Sequence, residues 1–183
     1  YLSSVSGVAT TKTELISWFD KNVPDLDIFT TKSFQVKPNP GNREPVICET
    51  KSGDFGNSVG LRNPGMEKSL PELVELRKSG FDKWLNVSLS ADNPDDFITL
   101  VKAFDCVADS VELNFSCPHA KKGFGASIGC NIDIASEYVE KIHNATKDRN
   151  SLLFIKLTPN VDNIGEIAKR VIEMGADGIT AIN

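Results

Sequence analysis

The sequence predicts an α/β fold, because strand-like and helix-like stretches alternate along nearly the whole chain, the mark of repeated βα units around a parallel sheet. Six stretches read as strands: Leu2–Ser6, Asp27–Phe34, Trp84–Ser90, Ser110–Ser116, Leu152–Thr158 and Gly178–Asn183. Helical patterns with recognisable start and stop signals lie between them. The 183 residues, 40% of them hydrophobic, suffice to bury the core of one domain.

Each element has its own reasons. Thr11 with Glu14, and Ser69 with Glu72, have the spacing of capping boxes and are expected to open helices. Asn93 before Pro94 offers a cap followed by proline at the first helical position. In the helix that follows, Phe97, Leu100, Val101 and Phe104 recur at three- and four-residue spacing, which places one apolar stripe on the sheet. Ile164, Ile167, Ala168, Val171 and Ile172 do the same in the last helix. Gly80 and Gly175 mark helix ends. The segment 35–65 breaks the rhythm, being rich in proline, glycine and asparagine around a short extended piece, Val46–Thr50; it is expected to be an elaborated functional loop of a single domain spanning 1–183.

A formal net charge of -5 and a pI near 5.1 argue against nucleic acid as a partner, since phosphate binding needs a basic surface. No apolar run has the length of a membrane helix, and the opening Tyr1-Leu2-Ser3-Ser4-Val5 lacks the basic flank of a signal peptide, so a cytoplasmic protein that does not enter membranes is expected. Cys48, Cys106, Cys117 and Cys130 show no C-x-x-C spacing, so no metal site is expected. Cys48 and Cys106 read as small buried apolar residues.

The strand around residue 112 is the most informative. Val111, Leu113 and Phe115 point one way under strand alternation, and Glu112, Asn114 and Ser116 the other. A parallel strand covered on both sides should be apolar throughout, so a polar inner face implies polar contents, such as a cofactor. The pattern recurs with Asn86, Ser88 and Ser90, and again with Lys156 and Thr158. An ammonium at Lys156, in an apolar strand that should not be an edge, implies an anion or an electron-rich acceptor nearby. Lys32 is similar, though the strand ends there and its side chain could reach solvent. Cys117 follows at the carboxyl end of its strand, where α/β proteins place their chemistry. A thiol there can act as a general base over an acidic C–H, closed in by the glycine-containing stretch Gly123-Phe124-Gly125, which is not a dinucleotide fingerprint. Asn57, Asn114 and Asn183 each offer a donor and an acceptor to an amide- or imide-bearing ring. Lys121 and Lys122 read as a solvated pair, and His143 as an exposed or satisfied helical histidine.

Taken in order, Ser6-Gly7, Thr31-Lys32-Ser33, Asn57-Ser58-Val59-Gly60-Leu61-Arg62-Asn63-Pro64-Gly65, Asn114-Phe115-Ser116-Cys117-Pro118, Lys156-Leu157-Thr158-Pro159-Asn160 and Gly175-Ala176-Asp177-Gly178 leading to Asn183 resemble the class 1 dihydroorotate dehydrogenases, and the related pyrimidine-reducing domain of dihydropyrimidine dehydrogenase. The resemblance implies a (β/α)₈ TIM barrel, of which this chain supplies about the first six βα units, holding FMN at the carboxyl ends of its strands. It implies that dihydroorotate is oxidised to orotate at its C5–C6 bond, with Cys117 taking the C5 proton. Ser6, Gly7, Lys32, Ser33, Ser88, Asn114 and Lys156 are then the expected flavin contacts. Asn57, Gly60, Leu61, Asn114, Ser116 and Asn183 are the expected contacts to the pyrimidine. His119 stands where dihydroorotate dehydrogenases have asparagine, as in dihydropyrimidine dehydrogenase.

Ending at Asn183 places the last residue within the sixth barrel strand, so a fragment or half of a split barrel is expected, completed by a second copy or a complementing chain. The alternative activities are uracil or thymine reduction, a lysine Schiff-base aldolase using Lys156, or an inactive half-barrel that needs its partner.

Overall fold

The computed structural model describes residues 1–8, 10–116 and 126–181. Six parallel strands form its main sheet: β1 (Leu2–Ser3), β2 (Leu26–Thr30), β5 (Trp84–Leu89), β6 (Ser110–Asn114), β7 (Leu152–Lys156) and β8 (Gly178–Thr180), hydrogen-bonded in that order. A separate antiparallel hairpin, β3 (Ile47–Glu49) with β4 (Phe55–Asn57), rises from the segment between β2 and the next helix. Helices α1 (Thr13–Asn22), α2 (Met66–Lys78), α3 (Pro94–Phe104), α4 (Ala126–Gly129), α5 (Ile132–Ala145) and α6 (Ile164–Glu173) alternate with the parallel strands. The sheet curls into a half-barrel with the arrangement of the first six βα units of a TIM barrel.

Strand alternation divides the two faces as expected. Leu85, Val87, Leu89, Val111, Leu113 and Ile155 are fully buried in the apolar core shared with the helices. From α3, Phe97, Leu100, Val101 and Phe104 enter the same core; Phe97 meets Phe115 edge-on, with 5.7 Å between ring centroids. Asn93 accepts a hydrogen bond from the Asp96 N–H at 2.8 Å and Pro94 occupies the first helical position, the expected cap. Gly80 and Gly175 close α2 and α6 with positive φ.

At the amino ends of the strands, aspartates hold neighbouring strand starts in register. Asp27 accepts the Leu2 N–H, Asp109 the Leu85 N–H and Asp177 the Leu153 N–H, at 2.7, 2.7 and 2.8 Å. Arg77 and Arg149 pair with the last two of these carboxylates.

Several local expectations are corrected. Helix α2 begins at Met66, three residues before Ser69; its hydroxyl donates to the Gly65 carbonyl at 2.7 Å instead of capping. Packing of Met66 and Leu70 on the core extends the helix past the predicted start. Helix α1 has Lys12 at its N-cap, because the Thr11 hydroxyl donates to the Gly7 carbonyl. Ile172 is 43% exposed, so the stripe of α6 is narrower than its sequence implies. Cys48 and Cys106 are exposed, the first on the protruding hairpin and the second in the turn after α3, so neither packs as a core residue. Among the described residues no helix is long and apolar enough to cross a membrane.

Candidate active site

The concave face of the half-barrel bounds an open cavity of about 1100 Å³, lined among others by Thr30, Asn86, Glu112, Phe154, Lys156 and Thr180. These side chains share one face because each lies at an alternate position of its strand and the strands pair in register: Ser88 opposite Glu112, and Asn114 opposite Lys156.

The polar groups satisfy one another across strands. Ser88 Oγ donates to Glu112 Oε1 at 3.1 Å and lies 2.9 Å from Ser33 Oγ. Asn114 Nδ2 donates to Ser33 Oγ at 3.1 Å, and Asn114 Oδ1 accepts from both the backbone N–H and the hydroxyl of Ser116. Ser33, Ser88, Asn114 and Ser116, four of the predicted contacts, therefore form one buried assembly at the carboxyl ends of β5 and β6. Lys156 is 7% exposed at the carboxyl end of the interior strand β7, with no ion-pair partner among the described residues. Ser90 extends the same face one step beyond Ser88, and its buried hydroxyl has no hydrogen-bond partner among the described residues.

Ser6 and Gly7 follow β1, and the Ser6 hydroxyl donates to the Thr31 carbonyl at 2.8 Å, tying that turn to the segment carrying Lys32. The Lys32 side chain runs alongside Gly7, with Nζ 3.8 Å from where a Cβ would stand. Burial pushes the Lys32 ammonium below its ordinary value, and the positive charge of Arg62 adds to the shift. An anion placed beside Lys32 would relieve both effects.

The remaining predicted contacts lie on the 35–65 segment. Asn57 is exposed on β4 and does not line the cavity. Gly60 and Leu61 both take positive φ, +72° and +57°. A side chain at Gly60 would meet Asn42 at 2.7 Å, so that position requires glycine; Leu61 holds a conformation unusual for a branched residue. What over-determines this turn is Asn63, to which the sequence reading assigned no role. Its Nδ2 donates to the Leu61 carbonyl and to Gln35 Oε1, while its Oδ1 accepts from the N–H groups of Gln35 and Gly65. The Asn-Pro-Gly run is itself the signal of such a side-chain turn. Asn86 and Glu112 were also left without roles, although their parity puts them on the inner face.

Cys117, His119, Lys121, Lys122, the run Gly123-Phe124-Gly125 and Asn183 lie outside the described residues. The predicted base and one predicted pyrimidine contact are thus located by sequence alone.

Comparison with known proteins decides the family. Residues 2–183 match the dihydroorotate dehydrogenase family. The chain belongs to the dihydroorotate dehydrogenase family. It is 40% identical over 156 residues to the dihydroorotate dehydrogenase B (NAD(+)) catalytic subunit of Methanocaldococcus jannaschii, covering 84% of this chain and 49% of that protein. The corresponding catalytic subunit of Bacillus cytotoxicus is 34% identical over 173 residues, covering 93% and 53%. Dihydroorotate dehydrogenase A (fumarate) of Lactobacillus delbrueckii subsp. bulgaricus is 36% identical over 168 residues, covering 90% and 52%. The chain spans about half the length of these dihydroorotate dehydrogenases.

Proposed function

We propose that the protein oxidises dihydroorotate to orotate with bound FMN. The observation that carries this reading is the match to the dihydroorotate dehydrogenase family across residues 2–183, and the chemistry of the concave face supports it. Lys156, buried with no carboxylate partner among the described residues, the Ser90 hydroxyl, which has no hydrogen-bond partner among them, and a continuous polar ladder suit a flat, electron-rich, hydrogen-bonding ring. Ser6, Gly7, Lys32, Ser33, Ser88, Asn114 and Lys156 would hold the flavin, with the two lysines meeting its anionic or electron-rich groups. Asn57, Gly60, Leu61, Asn114, Ser116 and Asn183 would hold the pyrimidine. When bound, FMN supplies an acceptor for the hydride leaving C6 of the substrate.

The protein's own share of the chemistry is to orient the ring and take a proton. Cys117, three residues beyond Asn114, removes the C5 proton as a general base. The M. jannaschii and B. cytotoxicus relatives are named catalytic subunits, and we propose that this protein likewise works with a second subunit that passes electrons to NAD⁺.

Flavin bleaching by dihydroorotate in the full-length protein tests the reading. A full-length preparation that neither binds FMN nor bleaches on adding dihydroorotate refutes it. Cys117→Ser should retain orotate binding yet slow bleaching by about 10²–10⁴-fold, since a hydroxyl is far harder to deprotonate than a thiol. Unchanged bleaching would remove Cys117 from the reaction.

A further inference from the structure

We propose that Asn63 is a positioning residue for the pyrimidine, the amide that sets the direction of the turn 58–61 and of the backbone N–H groups this turn presents. The inference rests on the functional reading above, in which Gly60 and Leu61 contact the pyrimidine, and it names the residue that acts through them.

Four successive carbonyls of the turn are each tied to an asparagine. Asn42 holds two, its Nδ2 donating to the Ser58 carbonyl at 2.9 Å and its backbone N–H to the Val59 carbonyl at 3.0 Å. Asn39 Nδ2 reaches the Gly60 carbonyl at 3.3 Å, and Asn63 Nδ2 the Leu61 carbonyl at 2.8 Å. A peptide unit is planar and trans, so its C=O and N–H point in opposite directions and fixing one aims the other. The N–H groups of Val59, Gly60, Leu61 and Arg62 belong to these same four units, and none of them has an acceptor among the described residues. The turn is held by its carbonyls. Its donors are left for the oxygens of a ligand.

Within this clamp the orientation of Asn63 is fixed by groups with a single role. Its Oδ1 faces the backbone N–H groups of Gln35 and Gly65, at 3.2 and 3.0 Å, which only donate, and its Nδ2 faces the Leu61 carbonyl, which only accepts. Turning the amide over would set like against like at all three. Asn63 is also 5% exposed, which leaves little room for water to replace it. Its backbone pairs with that of Asn39 in both directions, at 2.9 and 3.0 Å, and Gln35 Oε1 accepts from both side chains. The two amides are thereby locked to each other.

Leu61 is where this matters most. A branched side chain avoids a φ of +57°, and the bond from Asn63 to the carbonyl of Leu61 itself opposes that tendency. Without it the unit joining Leu61 to Arg62 can rotate toward an ordinary conformation, carrying its N–H out of line. The arm that the functional reading places at the flavin is anchored separately: the Phe34 N–H donates to the Ser88 carbonyl at 2.9 Å, and Ser33 Oγ lies 2.9 Å from Ser88 Oγ. Loss of Asn63 should therefore be felt by the pyrimidine and not by the flavin.

The test is Asn63→Ala, which removes the amide without adding charge, in the full-length protein. Flavin content is read by absorbance, and the orotate dissociation constant and stoichiometry by calorimetry. Orotate binding should weaken by about tenfold to a hundredfold with flavin content and stoichiometry retained. A residue that only kept the chain folded would lower the stoichiometry and leave the dissociation constant alone. Leu73→Ala, which empties a buried site in α2, is the comparison: it should lower the melting temperature with the orotate constant changed less than about twofold. Orotate affinity within about threefold of wild type in Asn63→Ala, flavin lost together with orotate, or an equal loss of affinity in Leu73→Ala overturns the inference. Should Asn63→Ala fail to fold, Asn39→Ala, which frees the Gly60 carbonyl, decides: weaker orotate binding with flavin retained supports the inference, and unchanged binding or an unfolded protein overturns it. Wild type that takes up FMN but not orotate refutes the functional reading, whereas wild type and Asn63→Ala binding orotate equally refute this inference alone.

Discussion

On β5 and β6 the outward residues Leu85, Val87, Leu113 and the adjoining Phe115 pack in hydrocarbon, while one position away Asn86, Ser88 and Glu112 pack among polar groups, and both sets are out of water. The outer face is held by area and shape, which are non-directional, so it constrains volume. The inner face is held by hydrogen bonds in which each buried polar group needs a partner of suitable kind and geometry, so it constrains identity as well as volume. The same strands therefore carry a part of the molecule that tolerates repacking and a part that does not.

Experiments on the two faces can break this contrast. The largest effect is expected from Phe97→Ala, which empties a fully buried site between α3 and Phe115 and should lower unfolding free energy by about 3–5 kcal/mol in urea titration. A loss under about 1 kcal/mol would mean that the outer core collapses around the hole more easily than its packing implies. Next comes Asp177→Ala, which leaves the Leu153 N–H and the largely buried Arg149 without their acceptor; about 2 kcal/mol should be lost. Val87→Thr, which places one hydroxyl among hydrocarbon, should cost about 1–3 kcal/mol, whereas the volume-conserving Leu113→Met should cost less than about 1.5 kcal/mol. If both cost the same, the outer face is more directional than proposed.

The smallest effect concerns Asp105. Burial alone would raise its carboxyl, but hydrogen bonds from Ser151 and Asn150 outweigh it and hold the group below the ordinary carboxylate value. A carboxyl lowered on folding adds stability above its unfolded value, lost as pH falls through the folded one. Asp105→Asn should accordingly lower the urea midpoint modestly near neutrality and flatten its acid limb between about pH 5 and pH 2, so that variant and wild type converge in acid. An unaltered acid limb would show that other carboxylates set it.

Much of the architecture was legible because period-two and period-3.6 patterns are local properties of the chain. All six parallel strands and the cap at Asn93 follow from them. Misreadings came where a residue had two local uses. Ser69 could cap or bond backward within a helix, and packing of Met66 decided. Cysteine is commonly buried, but Cys48 sits on a hairpin that projects from the sheet. For the site, side-chain parity identified Ser88, Asn114 and Lys156, but it named Glu112 and Asn86 only as members of a face, without a role.

The sequence by itself determined the α/β order, the division of each strand into an apolar and a polar face, and the motifs that identify the family. These need only neighbouring residues, since alternation and motif spacing are read along one chain. Tertiary structure alone decided which polar residues meet. Trp84, Ser110, Asn86 and Glu112, and separately Ser116, Asn114, Ser33 and Ser88, are brought together by strand register and by the curl of the sheet. Hydrogen bonding depends on the partner's geometry as well as on residue type, so which donor meets which acceptor appears only once the strands are laid side by side.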